Sequence, residues 1–189
     1  RIQSRLRSAH LRGCPQELVS CVDSGQRTYL PRGITETLST LDFIDSGLNV
    51  CILGSSDSGK SYLAKAIGIA ACNVYRVEYH HCESLLETLV ALKAQDYAKY
   101  QKRLKKVCGA ALLILDDFLL HTITDEREVK ILFEILEQRC EMNLSTMICS
   151  QREPASWSAM ILNDEVSANA ILKRATKHYT VVIKPVTTG

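Results

Sequence analysis

Short apolar runs alternate along this chain with segments whose apolar residues recur every three or four positions. After Pro31, the residues Ile34, Leu38, Leu41 and Ile44 keep helical spacing until Ser46-Gly47 stops them, so one helix is expected there. Leu48-Asn49-Val50-Cys51-Ile52-Leu53 is a strand-length run that ends in a glycine-containing loop, and residues 62–67 resume as helix. Val74-Tyr75-Arg76-Val77-Glu78-Tyr79 alternates and is rich in β-formers. Leu85, Leu86, Leu89 and Leu92 then mark a helix, and residues 97–106 another. Ala111-Leu112-Leu113-Ile114-Leu115 is continuously apolar, as a strand covered on both faces should be. Val129, Leu132, Phe133, Leu136 and Cys140 share one helix face. Thr146-Met147-Ile148-Cys149 makes a fourth strand, residues 154–162 and 167–177 read as helices, and Tyr179-Thr180-Val181-Val182-Ile183 is a fifth strand. Strands alternating with helices predict an α/β fold with a parallel sheet between helical layers.

Residues 1–30 have little periodicity and contain Gly13, Pro15 and Gly25, so they are expected to form a helical or irregular arm ahead of a main domain over 31–189. The full 189 residues suit one domain. A net charge of +2 is too mild to name a partner, but its distribution is uneven. Arg1, Arg5, Arg7 and Arg12 open the chain without an acid among them, and Lys99, Lys102, Arg103, Lys105 and Lys106 cluster later. Each run suits either phosphate contact or a solvated helix face. The eight cysteines include no C-x-x-C pair, which removes the usual zinc spacing. Reduced thiols, and with them a cytoplasmic setting, are expected. No uncharged run approaches the roughly 20 apolar residues of a membrane helix, so no membrane partner is expected.

Gly54-Ser55-Ser56-Asp57-Ser58-Gly59-Lys60-Ser61 satisfies G-x-x-x-x-G-K-[ST] between an expected strand and an expected helix. In such a loop, successive backbone N–H groups and the helix N-terminus cradle phosphate oxygens, the lysine reaches the β- and γ-phosphates, and the Ser61 hydroxyl ligates Mg²⁺. The candidate ATP-binding segment is therefore Gly54 to Ser61 together with Tyr62. Asp57 brings a negative charge to that loop, yet aspartate tolerates the left-handed backbone the loop requires. Asp116-Asp117 ends the third strand on the same sheet edge. Asp116 suits Mg²⁺ and Asp117 suits a general base toward water, the alternative being two acids that cap the next helix. Ser150-Gln151 ends the fourth strand on that edge too, so Gln151 reads either as a contact to water or the γ-phosphate or as a loop amide. Arg174, taken alone, reads as a surface arginine.

The order of these pieces resembles the IstB-type transposition helper ATPases, which belong with the DnaC-type helicase loaders in the AAA+ class. The resemblance spans about residues 30–184. It rests on Leu112-Leu113-Ile114-Leu115-Asp116-Asp117, Ser150-Gln151 with Trp157 downstream, Ala168-x-Ala170-Ile171-Leu172-x-Arg174, and Gly59-Lys60-Ser61-Tyr62-Leu63-Ala64-Lys65-Ala66, similar to the family's G-K-T-H-L-A-x-A. It implies a five-stranded parallel AAA+ sheet in the order 5-1-4-3-2, ATP and Mg²⁺ as cofactors, self-assembly on DNA, and assistance to a transposase. It also implies Gln151 as sensor 1 and Arg174 as an arginine finger reaching a neighbouring subunit. The departures are specific. Asp57 stands where the family usually has Gly, Phe118-Leu119 replaces an aromatic-Gly pair, Asn169 and Lys173 replace acids, and Pro154 is shifted by one. The chain stops at Gly189, before the family's sensor-2 arginine, so a domain truncated at its C-terminus is expected. Competing readings are a helicase loader, a P-loop small-molecule kinase, and a DNA-binding adaptor that holds ATP without turnover.

Overall fold

In the computed structural model, which describes residues 1–162 and 165–186, the apolar runs become one six-stranded sheet. The strands are β1 (Arg27–Leu30), β2 (Val50–Leu53), β3 (Val77–His81), β4 (Leu112–Asp116), β5 (Ser145–Ser150) and β6 (Tyr179–Pro185), arranged β1-β6-β2-β5-β4-β3. The last five are parallel and, counted from β2, follow the implied order 5-1-4-3-2. The expected count of five is corrected to six, because β1 adds an antiparallel edge to β6, with Arg27 opposite Pro185 and Leu30 opposite Val182. Four residues between Gly25 and Pro31, with only Tyr29 fully buried, carry too short a period-2 signal to announce a strand.

The interiors of β2 and β4 are apolar on both faces because both faces are covered. Val50, Ile52, Leu112, Ile114, Met147 and Val181 pack with helix α4 (Lys60–Ala71) and with the short helices α2 (Ile34–Ser39) and α3 (Asp42–Asp45). Cys51, Leu113, Leu115 and Ile148 pack with α5 (Cys82–Gln95), α6 (Tyr97–Gly109), α7 (Glu126–Glu141) and α8 (Glu165–Ala175). Alternate residues of one strand thus serve two cores, the pattern expected of a parallel sheet. The 1–30 segment joins the first core: α1 (Ile2–Ser8) leads to Ala9 and Leu11, which are buried there with Cys21 and Tyr29. Gly68 lets α4 approach closely, since a Cβ at that position would lie 2.9 Å from Ile114 Cδ1 and Leu11 Cδ1.

Three local expectations change. The single helix over Ile34 to Ile44 is two short ones, because Leu41 adopts a left-handed backbone with φ 64 and interrupts the hydrogen-bond ladder. The second parallel strand starts at Val77 instead of Val74, since α4 closes through a Tyr75 N–H to Ala71 carbonyl bond of 2.7 Å. Residues 154–160 hold two short 3-10 turns, not an α-helix, folded around the fully buried Trp157. All eight cysteines are free, and Cys51 and Cys149 lie buried in β2 and β5 as small apolar residues.

A buried cation fastens α6 to α7 and β5. The Arg139 guanidinium, fully enclosed, donates to the carbonyls of Val107, Cys108 and Ala110 at the end of α6 and to Ser145 O and Thr146 Oγ1 of β5, at 2.7–3.1 Å. Burial lowers its pKa to about 10. The carbonyls left open at the end of α6 are thereby satisfied by a side chain instead of water.

Candidate functional site

Three parallel strands end at one edge, and their following loops enclose an open cavity of about 540 Å³. Ser56, Asp57, Gly59, Lys60, Ser61 and Tyr62 come from the loop after β2, Asp117 and Phe118 from the loop after β4, and Gln151 from the end of β5. The cavity's size falls within the range of small-molecule sites.

The loop after β2 is shaped for backbone contact. Asp57 sits at φ 61 and Gly59 at φ 104, and α4 begins at Lys60, so its first N–H groups have no partner within the helix. Lys60 is mostly buried, and its Nζ donates to the carbonyls of Gly54 and Ser55 at 2.8 and 2.7 Å. Burial pulls its ammonium pKa down, opposed in part by Asp116, Asp117 and Asp57. Ser58 Oγ is enclosed without a hydrogen-bond partner. Gly54 has to remain glycine because a Cβ would press on the Ile183 carbonyl and on Ser58 Oγ.

The two carboxylates have different surroundings. Asp116 is fully buried, accepting the Tyr79 hydroxyl on Oδ2 and the Asp117 N–H on Oδ1 at 2.9 Å. The Tyr79 phenol is driven up in pKa, by burial first and then by that bond, so it remains a donor. Asp117 is half-exposed at φ 51, and its Oδ2 lies 3.0 Å from His81 Nδ1. The turn after it is fixed from below. Phe118 donates its N–H to Cys149 O, Ser150 Oγ donates to Phe118 O, and Phe118 meets Trp157 edge-on at 4.9 Å between centroids. Such contacts hold the loops after β4 and β5 in register.

Arg27, His81 and Tyr79 escape sequence reasoning. Arg27 leaves β1 and lies over the loop, its guanidinium where a Cβ on Gly59 would be. Tyr79 and His81 reach the carboxylates from β3, which pairs with β4 so that His81 stands opposite Asp116. The alternation Val77, Tyr79, His81 on the face toward the loop was the one available signal. Arg174, by contrast, is exposed at the end of α8 and lies outside this cavity. Its carbonyl accepts from Asn49 Nδ2, which places it at the opposite end of β2 from the loop.

The chain as a whole is similar to known proteins. The profile of the IstB-like ATP binding protein family matches residues 1–185. The chain belongs to that family. It is 30% identical over 185 residues to the insertion sequence IS21 ATP-binding protein of Pseudomonas aeruginosa, covering 96% of this chain and 66% of that one. The insertion sequence IS232 ATP-binding protein of Bacillus thuringiensis subsp. berliner is 34% identical over 144 residues, or 76% of this chain and 56% of that one. This IstB-like chain therefore spans between about half and two thirds of these relatives' length. The solved structure of DnaI superposes with a TM-score of 0.72 at 20% identity, covering 92% of each chain, a likeness of fold. The AAA+ P-loop class expected from the sequence holds, as does membership of the IstB-like family over a longer stretch than the motifs alone covered.

Proposed function

We propose that this chain is the ATP-hydrolysing, Mg²⁺-dependent part of an insertion-sequence protein that assembles as a homo-oligomer on DNA and assists a transposase. The observation that carries this reading is the convergence of Lys60, Asp116, Asp117 and Gln151 on one sheet edge beside the loop after β2. The names of its relatives, which belong to insertion sequences, support the DNA context. A cytoplasmic setting agrees with eight unpaired thiols and with the lack, among the described residues, of a helix long and apolar enough to cross a membrane.

The donor set fits both cofactors. Gly54 to Tyr62 would hold the triphosphate, with the Lys60 ammonium opposite the β- and γ-phosphates and the orphaned Ser58 hydroxyl inside the loop. Ser61 and Asp116, a hydroxyl and a carboxylate, suit Mg²⁺, which keeps its other positions for water and phosphate oxygens and neutralises charge on them when bound. Asp117 accepts the proton of the attacking water, held in place by the imidazole of His81 when Nδ1 carries the proton. Gln151 orients that water from β5. Arg27 adds a second cation beside the loop.

Neutralising Arg27 tests that last role separately. With one charge-assisted hydrogen bond removed, Arg27→Ala should bind ATP about 10-fold more weakly while melting near the parent temperature. Titration with a fluorescent ATP analogue reads this out, and equal affinity would reduce Arg27 to a strand residue.

DNA contact belongs to α6, whose Lys99, Lys102, Lys105 and Lys106 are exposed beside Arg76. The opening basic run is less free, since Arg5 donates to Asn73 O at 2.8 Å and so caps α4. The decisive experiment is phosphate release measured against protein concentration, with and without duplex DNA and at rising salt. Turnover per chain that climbs with concentration and with DNA, and falls with salt, is the expected result. Nucleotide binding with no release under any of these conditions would replace the ATPase by a binding-only adaptor.

A further inference from the structure

Away from the nucleotide loop, where α1 meets the free edge of β3, three side chains converge without an assigned purpose. Glu78 and His80 are two apart on β3 and so share a face. The Glu78 side chain is only 4% exposed and that of His80 12%. Glu78 Oε2 and His80 Nε2 lie 3.7 Å apart, and neither has a hydrogen-bond partner. An enclosed carboxylate oxygen and an enclosed imidazole nitrogen left open together are costly unless something occupies the space between them.

The third side chain arrives from the N-terminal segment. After α1 the chain turns through His10 at φ 64, while the Ala9 carbonyl accepts the Tyr79 N–H at 3.1 Å and fixes this turn to the strand edge. That places His10 Nδ1 3.9 Å from Glu78 Oε2, with the two imidazole rings 5.0 Å apart and tilted by 58°. One ligand atom from each residue lies within 4.8 Å of the others.

We propose that His10, Glu78 and His80 form a binding site for a divalent first-row transition metal, Zn²⁺ above all. Two imidazoles and one carboxylate are a recurrent zinc donor set, with a fourth position left to solvent on the half-exposed His10 side. Tetrahedral bonds of about 2.0–2.1 Å bring ligand atoms to about 3.3 Å from one another, so each ligand has to move inward by less than about 1 Å. Lys65 and Arg103 line the same cavity. Lys65 rests over the Tyr79 ring at 5.3 Å, and both cations favour hydroxide or another anion in the fourth position over a neutral ligand. The ion would staple the N-terminal segment to the strand whose Tyr79 and His81 hold Asp116 and Asp117.

The test uses the whole chain in the parent and in the variants His10→Asn and Glu78→Gln. Asparagine tolerates the left-handed backbone that His10 adopts, and both variants remove a ligand without removing much volume. The parent should take up one Co²⁺ per chain with the visible absorption of a tetrahedral nitrogen and oxygen site, free of thiolate charge-transfer bands that would betray the cysteines. Zn²⁺ at about a hundredfold excess over its Kd should raise the parent's Tm by about 5–10 °C over the chelated protein. Each variant should bind at least about tenfold more weakly and lose most of that shift. A parent whose spectrum and Tm are the same with metal and with chelator overturns the site. So does Co²⁺ uptake of thiolate character, or uptake that the variants retain at parental affinity.

Discussion

Lys60→Ala should cost the protein its tight hold on ATP, a loss on the order of 10–100-fold in affinity. Lys60 is the one ammonium inside the loop after β2, and its Nζ reaches two loop carbonyls at 2.7 and 2.8 Å. Its burial removes much of the water that would compete for it and pulls its ammonium pKa down. A charge-assisted hydrogen bond in such surroundings contributes about 1.5–3 kcal/mol, and the phosphates it would meet carry most of the ligand's charge. Alanine removes the ammonium and also frees the carbonyls of Gly54 and Ser55. The melting temperature is therefore to be measured alongside, with Lys60→Met as the variant that keeps the apolar stem. Titration with labelled ATP reads the affinity. Parental affinity in a folded Lys60→Ala protein would remove the loop from nucleotide binding.

Contiguity decided what could be read before folding. Gly54 to Ser61 is a local motif whose geometry is set by neighbouring residues, and the strand-then-helix context around it is visible in the apolar runs. Asp116, Asp117 and Gln151 followed from one further step: in a parallel sheet all strand ends after β2, β4 and β5 meet at one edge. Arg27 needed the fact that a four-residue strand joins β6, and Tyr79 and His81, whose alternation with Val77 was visible, needed the pairing of β3 with β4 in the register His81 to Asp116. The break at Leu41 and the 3-10 turns around Trp157 were hidden for the same reason, since buried apolar residues there satisfy helical spacing without forming a long helix.

The departures from the family's usual residues acquire a physical meaning. Asp57 and Leu119 stand at φ 61 and φ 55, left-handed positions at which the family usually has glycine. A leucine there costs about 1–2 kcal/mol of backbone energy. Leu119 is almost wholly enclosed in the core under α5 and α7, and this burial offsets a cost of that size. Asp57 has no such compensation, being exposed, but aspartate is among the side chains that visit this region most readily. The backbone thus accommodates both residues, and Asp57 adds a negative charge at the rim of the proposed phosphate site.

Arg174→Ala should leave ATP binding intact and cut hydrolysis by roughly 10³–10⁵, the contribution of arginine fingers in other nucleotide hydrolases. The geometry requires that any such contribution come from another copy of the chain. Asn49, just ahead of β2, holds the Arg174 carbonyl at 3.2 Å, whereas the phosphate loop follows the far end of β2. Four strand residues at about 3.3 Å each separate the two by more than 10 Å of sheet, and Arg174 faces solvent instead of its own cavity. A guanidinium placed this way meets a γ-phosphate only across an interface, so specific activity in the parent should rise with protein concentration. Mixing identifies the interface directly. At ATP concentrations below the weakened Kd of Lys60→Ala, those chains are mostly empty but keep the finger, Arg174→Ala chains hold nucleotide but lack it, and each protein alone should be nearly inactive. Co-assembled, some interfaces pair an intact loop with an intact arginine, and phosphate release should return toward the level set by the fraction of such pairs. If the two variants demonstrably associate and turnover stays at the level of either alone, Arg174 is an ordinary exposed arginine at the end of α8.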